Sequence, residues 1–274
     1  MNKILLENEV VSRLKKTEVE FTYHMAKSLF DITKLHLIVK KDCEILLNIK
    51  RDDDLKLDLV IDILDDASVI FNMIDIVNKA KIKTTVNLGK NSRISFDKVN
   101  NCSSVKEGII FNFNDEFACC DYNFKSVSEN NETYDIVINH QASNTISNIK
   151  NNIINYTGNV LIQVSTYIDK SYKNVLADQK NTIININNKK CEIKPNLFID
   201  SFDSVANHSA YIGKFDKNKL FYLMSRGLSE KEAYHLLIKG FLESDVENKQ
   251  LLRVLDKMIK KYWRWVCIEM IFCF

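Results

Sequence analysis

The side chains with the clearest chemical capacity in this 274-residue chain are its seven thiols: Cys43, Cys102, Cys119, Cys120, Cys191, Cys267 and Cys273. Thiolates are soft metal ligands, but these seven form no CxxC pair and keep no regular spacing, which argues against structural zinc. Cys119 and Cys120 are adjacent, and neighbours on a strand point to opposite faces, so they chelate one metal poorly. An odd, unpatterned set fits free thiols in a reducing compartment. The N-terminal run MNKILLENEVVSRLKK breaks its apolar stretch with Glu7 and Glu9 and offers no small-residue cleavage site. No signal peptide is therefore expected, and the expected location is the cytoplasm, or an organelle stroma or matrix in a eukaryotic host.

Other chemistries are poorly served. The only glycines are Gly89, Gly108, Gly158, Gly213, Gly227 and Gly240, and no two lie close enough for GxGxxG or GxxxxGK[ST], which excludes nucleotide sites of those classes. No Ser-His-Asp set, HExxH or catalytic carboxylate pair can be located by motif. Asp52, Asp53, Asp54, Asp65 and Asp66 have the look of strand-end acids. A net charge of +2 gives no reason to expect nucleic acid.

The elements that must position any site follow from periodicity. A 46% hydrophobic and 27% charged composition is that of an ordinary globular protein, neither disordered nor membrane-embedded. Residues 2–30 space their apolar side chains at three and four, which predicts an N-terminal helical segment over 1–31. Strict alternation from Leu55 to Ile63 predicts a half-buried strand. Short β runs recur at Ser68–Phe71, Lys81–Leu88, Arg93–Phe96, Gly108–Phe113, Tyr134–Asn139, Gly158–Ser165, Thr182–Ile186 and Asn196–Ile199. No ten-residue helical pattern intervenes, which leaves a sandwich, a barrel or a parallel β-helix over 32–213. Asn-Gly and Asp-Gly hairpin turns are missing, while asparagine-rich corners suit left-handed residues and stacked ladders, so the β-helix is favoured. A helical domain over 214–274 follows: Asp216 caps a helix ending at Gly227, Ser229 to Glu232 form a capping box, and a third helix carries Leu251, Leu255 and Met258.

Three stretches carry a resemblance. Lys194-Pro195-Asn196-Leu197-Phe198-Ile199, Asn207-His208-Ser209-Ala210-Tyr211-Ile212-Gly213 and Leu220-Phe221-Tyr222-Leu223-Met224-Ser225-Arg226-Gly227-Leu228-Ser229 together resemble the SufB/SufD family, the scaffold subunits of SUF iron–sulfur cluster assembly. His140 to Ser147, ending in Gly158-Asn159-Val160-Leu161, is similar to the family's H-x-x-x-x-T-x-S segment, and Asp178 to Asn181 to its Gln-containing turn. The matches cover residues 134–243. Phe202-Asp203-Ser204, Ser209 and Tyr211 depart from the family's Asp-Asp-Val, Gly and Thr.

The resemblance implies a right-handed parallel β-helix flanked by N- and C-terminal helices. It further implies a scaffold that is not an enzyme by itself, pairing with a SufB-like subunit or itself through the β-helix, and docking a SufC-like ATPase through helices between Ser229 and Lys261. Neither nucleic acid nor membrane is an implied partner, and no nucleotide binds this chain. A nascent, transient iron–sulfur cluster would be contacted by His208, the first metal-ligand candidate, and by Cys191, placed one coil earlier on the same face by a coil of about 17 residues. Asn207, where SufB-type members carry glutamate, favours a SufD-like assignment. Tyr222, Ser225, Arg226 and Gly227 would serve as a partner-binding or structural motif, His140 as a turn stabiliser. From the residues alone, two alternatives stay open: a secreted-type β-helix binding or cleaving polysaccharide, and a purely structural pairing subunit without cluster ligands.

Overall fold

A computed structural model describes the backbone of residues 2–7, 19–24, 33–50 and 52–271 and the side chains of 33–50 and 52–261. In chain order the strands are β1 (Asn2–Glu7), β2 (Val19–His24), β3 (Thr33–Val39), β4 (Cys43–Lys50), β5 (Leu55–Ile63), β6 (Ser68–Ile76), β7 (Lys79–Leu88), β8 (Arg93–Asn100), β9 (Ser104–Phe113), β10 (Cys119–Ser128), β11 (Asn131–His140), β12 (Ile146–Asn155), β13 (Asn159–Ile168), β14 (Leu176–Asn185), β15 (Cys191–Ile199) and β16 (Val205–Gly213). Three helices follow: α1 (Lys217–Ser225), α2 (Glu230–Glu243) and α3 (Lys249–Ile271). From β3 onward successive strands alternate between two sheets, ordered β1-β4-β6-β8-β10-β12-β14-β16 and β15-β13-β11-β9-β7-β5-β3-β2. Every pairing is parallel except that of β2 with β3. This is a parallel β-helix. Among the described residues no helix is long and apolar enough to cross a membrane.

The expected N-terminal helix is corrected. Asn2–Glu7 and Val19–His24 are strands, and the rest of 1–31 lies outside the described residues. Val19, Phe21 and Tyr23 alternate with Glu20, Thr22 and His24, and an open sheet edge selects that period over the looser helical spacing.

Five of the corners that lead from the second sheet to the first hold one left-handed residue each. Asp66, Asn91, Phe117, Asn144 and Asn174 hold φ between 51° and 61° there, and successive corners are tied by hydrogen bonds such as Asn174 Nδ2 to Asn144 Oδ1 at 3.1 Å. On the outer face of the second sheet, Asp62, Asn87, Asn112 and Asn139 form a ladder with hydrogen bonds of 2.7 to 2.9 Å. Phe117 is the misfit, a half-exposed aromatic where the backbone favours asparagine or glycine. Phe117→Asn is expected to stabilise the fold by about 1 kcal/mol, a rise of roughly 2–4 °C in Tm. An unchanged or lower melting temperature would show that the ring's contacts outweigh the strain.

The lumen is an apolar stack interrupted by charge. Phe71, Phe96 and Tyr122 stack edge to face at 4.8 and 5.2 Å on consecutive rungs. Beside them lie Lys98, Asp75 and Glu107, all fully buried, with Lys98 paired to Asp75 at 3.0 Å and to Glu107. Further along, Glu132 accepts hydrogen bonds from Tyr134 Oη at 2.9 Å and Ser126 Oγ at 3.1 Å. Burial pushes the Glu132 carboxyl up to about 7, against those hydrogen bonds. Because the folded value exceeds the unfolded one near 4.5, the stability tied to its proton is complete below that value and is lost as pH rises through 7. Glu132→Gln mimics the protonated form. Its stability relative to wild type should improve by about 2–3 kcal/mol between pH 5 and pH 8 in urea unfolding. An offset independent of pH would refute the assignment.

Helices α2 and α3 cover the outer face of the first sheet. Ile74, Val99, Val127, Ile154 and Ile184 pack against Ile238, Leu242, Leu251, Leu255 and Met258, each buried side chain contributing about 1.5–3 kcal/mol. Asp216 caps α1, and the capping box of Ser229 and Glu232 starts α2.

Candidate functional site

β15 and β16 end their sheets, so among the described strands each is paired on one side only, β15 with β13 and β16 with β14. Residues that further back in the solenoid would be lumen-facing and buried are uncovered here. On β16, Ala206, His208, Ala210 and Ile212 stack on Ala177, Gln179, Asn181 and Ile183, all buried. On β15, Cys191, Ile193 and Leu197 stack on Val160, Ile162 and Thr166. The result is an open mouth with a polar floor. Gln179 Nε2 donates to Thr166 Oγ1 at 2.7 Å and to the Asn196 carbonyl at 3.3 Å, joining the two sheets, while its Oε1 has no partner. Around the mouth, Phe198, Val205, Tyr211 and Ile212 are exposed, and Phe198 stacks on Tyr167 at 4.7 Å.

His208 stands on this mouth, exposed, directly above Gln179. Cys191 does not share its face: it opens β15, in the opposite sheet. A coil takes 24 to 31 residues, not 17, so a spacing of 17 crosses from one sheet to the other. Both residues nevertheless belong to the terminal coil and turn toward its lumen. The Cys191 thiol is half-buried, packs against the core and accepts a hydrogen bond from Asn155 Nδ2 at 3.1 Å. Burial raises its pKa, with that hydrogen bond acting against the shift. Among the described residues no three His, Cys, Asp or Glu side chains converge as a metal site.

The other candidates separate by role. His140 is buried at the end of β11, with Nδ1 hydrogen-bonded to Thr145 Oγ1 at 2.7 Å, Nε2 to Ser147 Oγ at 2.9 Å and its ring stacked on Phe113. Burial drives its pKa down to about 3, so it is a neutral corner brace with no nitrogen left for a metal. Cys119 lies outward and half-buried, Cys120 inward and buried. Asp178 to Asn181 lie within β14 rather than in a turn. Tyr222, Ser225, Arg226 and Gly227 close α1: Ser225 Oγ donates to the Tyr222 carbonyl at 2.7 Å, Arg226 lies 5.3 Å over the Tyr222 ring, and Gly227 adopts φ +94°. All four are exposed, and α1 buries no residue, so Phe221, Tyr222 and Met224 present an apolar face to solvent. The sequence reading missed Gln179 as the floor beneath His208; only its register in β14, 29 residues before His208, could have signalled it.

Comparison with known proteins agrees with this geometry. The family described as "SUF system FeS cluster assembly, SufBD core domain" matches residues 60–241, more than half the chain. The chain is 37% identical over 92 residues to the iron–sulfur cluster assembly protein SufD of Bacillus subtilis, covering 31% of this chain and 21% of that one. It is 35% identical over 98 residues to a SufBD family iron–sulfur cluster assembly protein of Pyrococcus horikoshii, covering 33% and 22%. A SufBD family protein of Mycobacterium leprae is 34% identical over 111 residues, 38% of this chain and 12% of that relative. The matched stretches thus span about a fifth or less of those relatives' length. With a parallel β-helix, a C-terminal helical unit and a family match that runs through most of the β-helix into α2, the chain belongs to the SufB/SufD family of iron–sulfur cluster assembly proteins of the SUF system.

Proposed function

We propose that this chain is a SufD-like, non-catalytic cytoplasmic scaffold subunit that pairs through the open mouth of its β-helix with a SufB-like subunit. His208 supplies one ligand to a nascent cluster at the joint. The carrying observation is the uncovered terminal coil with an exposed imidazole at its centre. An imidazole is a borderline donor, able to hold iron and still release a finished cluster. A single donor cannot retain a cluster, so the remaining ligands come from the partner, and transience follows from sharing. Cys191 is the second candidate from this chain, and its thiol must lose the Asn155 hydrogen bond and its proton to act. The SufC-like ATPase docks on the helical unit, where the exposed apolar face of α1 suits a partner. Its ATP hydrolysis moves the two subunits relative to each other, while this chain binds no nucleotide.

The test is co-expression with SufB- and SufC-like partners, followed by anaerobic purification and measurement of iron and sulfide per complex. His208→Ala is expected to leave the complex assembled and lower its cluster content several-fold. An assembled complex with unchanged content would leave this chain a purely structural pairing subunit. Failure to form any complex would sink the assignment.

A further inference from the structure

A second concave site lies far from the β16 mouth, between the outer face of the first sheet and the linker from α2 to α3. It is a cavity of about 680 Å³, in the range of ligand pockets, with room for a side chain and part of the peptide that carries it. Its floor includes Asn72 and Asp97, on adjacent rungs of β6 and β8, and its wall includes Asp245 and Glu247 of the linker. Asn72 is 1% exposed, and neither the oxygen nor the nitrogen of its amide has a hydrogen-bond partner. Asp97 is 8% exposed and accepts a hydrogen bond from Asn123 Nδ2 at 3.0 Å. Burial, opposed by that bond and by Lys125, raises the Asp97 carboxyl, and the carboxylates of Glu247 and Asp245 push the same way. Lys125 approaches from the same sheet face, but its ammonium makes no hydrogen bond. Asp245 is already held by Lys150.

The lining is oxygen-rich and acidic, with Glu44, Asp97, Asp245 and Glu247 set against one lysine, Lys249, and that excess of acid calls for a further cation. A bare metal ion suits it poorly, since no three ligating carboxylates converge among the described residues and the volume far exceeds one ion. A guanidinium suits it well: its fork of N–H groups can bind a carboxylate twice and still reach an amide oxygen. Leu46 and Ile70 line the same cavity and offer apolar surface for the methylene stem. The sheet face continues past the exposed Ile70, giving a peptide carrying the arginine a surface to lie along.

We propose that this cavity is a docking pocket for an arginine side chain on a basic segment of a partner protein, with Asp97 and Glu247 binding the guanidinium and the Asn72 oxygen accepting a further hydrogen bond. The site is independent of the mouth and of the cluster-scaffold reading.

Calorimetric titration of the full chain with acetyl-Gly-Arg-Gly-amide tests it, with agmatine, the corresponding lysine peptide and calcium chloride in parallel. The arginine peptide is expected to bind saturably at one site, at least tenfold more weakly to Asp97→Asn, to Glu247→Gln and to Asn72→Leu. Glu247 is exposed, so its variant remains informative if the buried substitutions unfold the protein, which circular dichroism reports. The lysine peptide should bind more weakly than the arginine peptide. No saturable binding, or equal affinity for wild type and Glu247→Gln, overturns the proposal. So does calcium saturating the site and excluding the peptide, which would make it a metal site. Agmatine binding as tightly as the peptide also overturns it, in favour of a free small cation.

Discussion

Ala210→Arg is expected to leave the isolated chain folded and to weaken pairing through the β16 mouth by at least about 100-fold. Ala210 is exposed, stacks on the buried Asn181 and lies two residues from both His208 and Ile212. In the isolated chain a long side chain there extends into water, and a surface substitution of this kind changes stability by no more than about 0.5 kcal/mol. In a joined pair the same guanidinium must be buried without a partner in the middle of the joint. Breaking a buried arrangement in that way costs about 3–5 kcal/mol, and 1.4 kcal/mol is tenfold in affinity. Glu116→Arg, at an exposed corner, is the control and should pair like wild type. Light scattering of the co-purified complex gives the answer. Full pairing of the Ala210→Arg chain would place the joint elsewhere and remove the reason for giving His208 a role in it.

What the sequence made legible depended on which faces of a strand are covered by what. In β5, Leu55 to Ile63 alternate because one face meets the lumen and the other meets water, and burial follows the same alternation. The capping box at Ser229 and the glycine stop at Gly227 were readable because they are local chemistry. β10 and β12 went unread for the opposite reason. Their sheet is covered on both sides, by the lumen and by α2 and α3, and inward positions carry Asn151 and Ser126 rather than aliphatics. β8 was read only as far as Phe96, since Asp97-Lys98 looks like a solvated turn, yet both are buried, on opposite faces of the strand. At the site, His208 was recognisable through its motif. Its true relation to Cys191 was not, because coil length is set by corners of varying size that leave no fixed period in the sequence. The acidic cavity was invisible for a related reason: its floor and wall are brought together by the packing of α2 and α3 on the sheet, which no local pattern encodes.

Lys98→Met is expected to destabilise the protein by about 3–5 kcal/mol at pH 7, the largest loss from any single lumen substitution considered above. Lys98, Asp75 and Glu107 are each fully buried, so their charges survive only by mutual pairing. Burial opposes the lysine's charge, but two carboxylates outweigh it and raise the Lys98 pKa, keeping the ammonium. Burial raises both carboxyls as well, against the pull of Lys98. With one cation between two acids, the cluster is balanced when one carboxyl keeps its proton. Methionine fills a similar volume but leaves two buried acids facing each other with only protons to neutralise them. The defect is therefore electrostatic, not a cavity. That distinction yields a second arm: Lys98→Met combined with Asp75→Leu and Glu107→Leu removes every charge and should recover most of the loss. Urea unfolding of the three proteins measures it, with equal m-values confirming that the same transition is compared. A single variant within 1 kcal/mol of wild type would mean the cluster is solvated rather than sealed. A triple variant no more stable than the single would mean that its hydrogen bonds, Asn100 Nδ2 to Glu107 at 3.4 Å among them, and not its charges, hold this part of the lumen together.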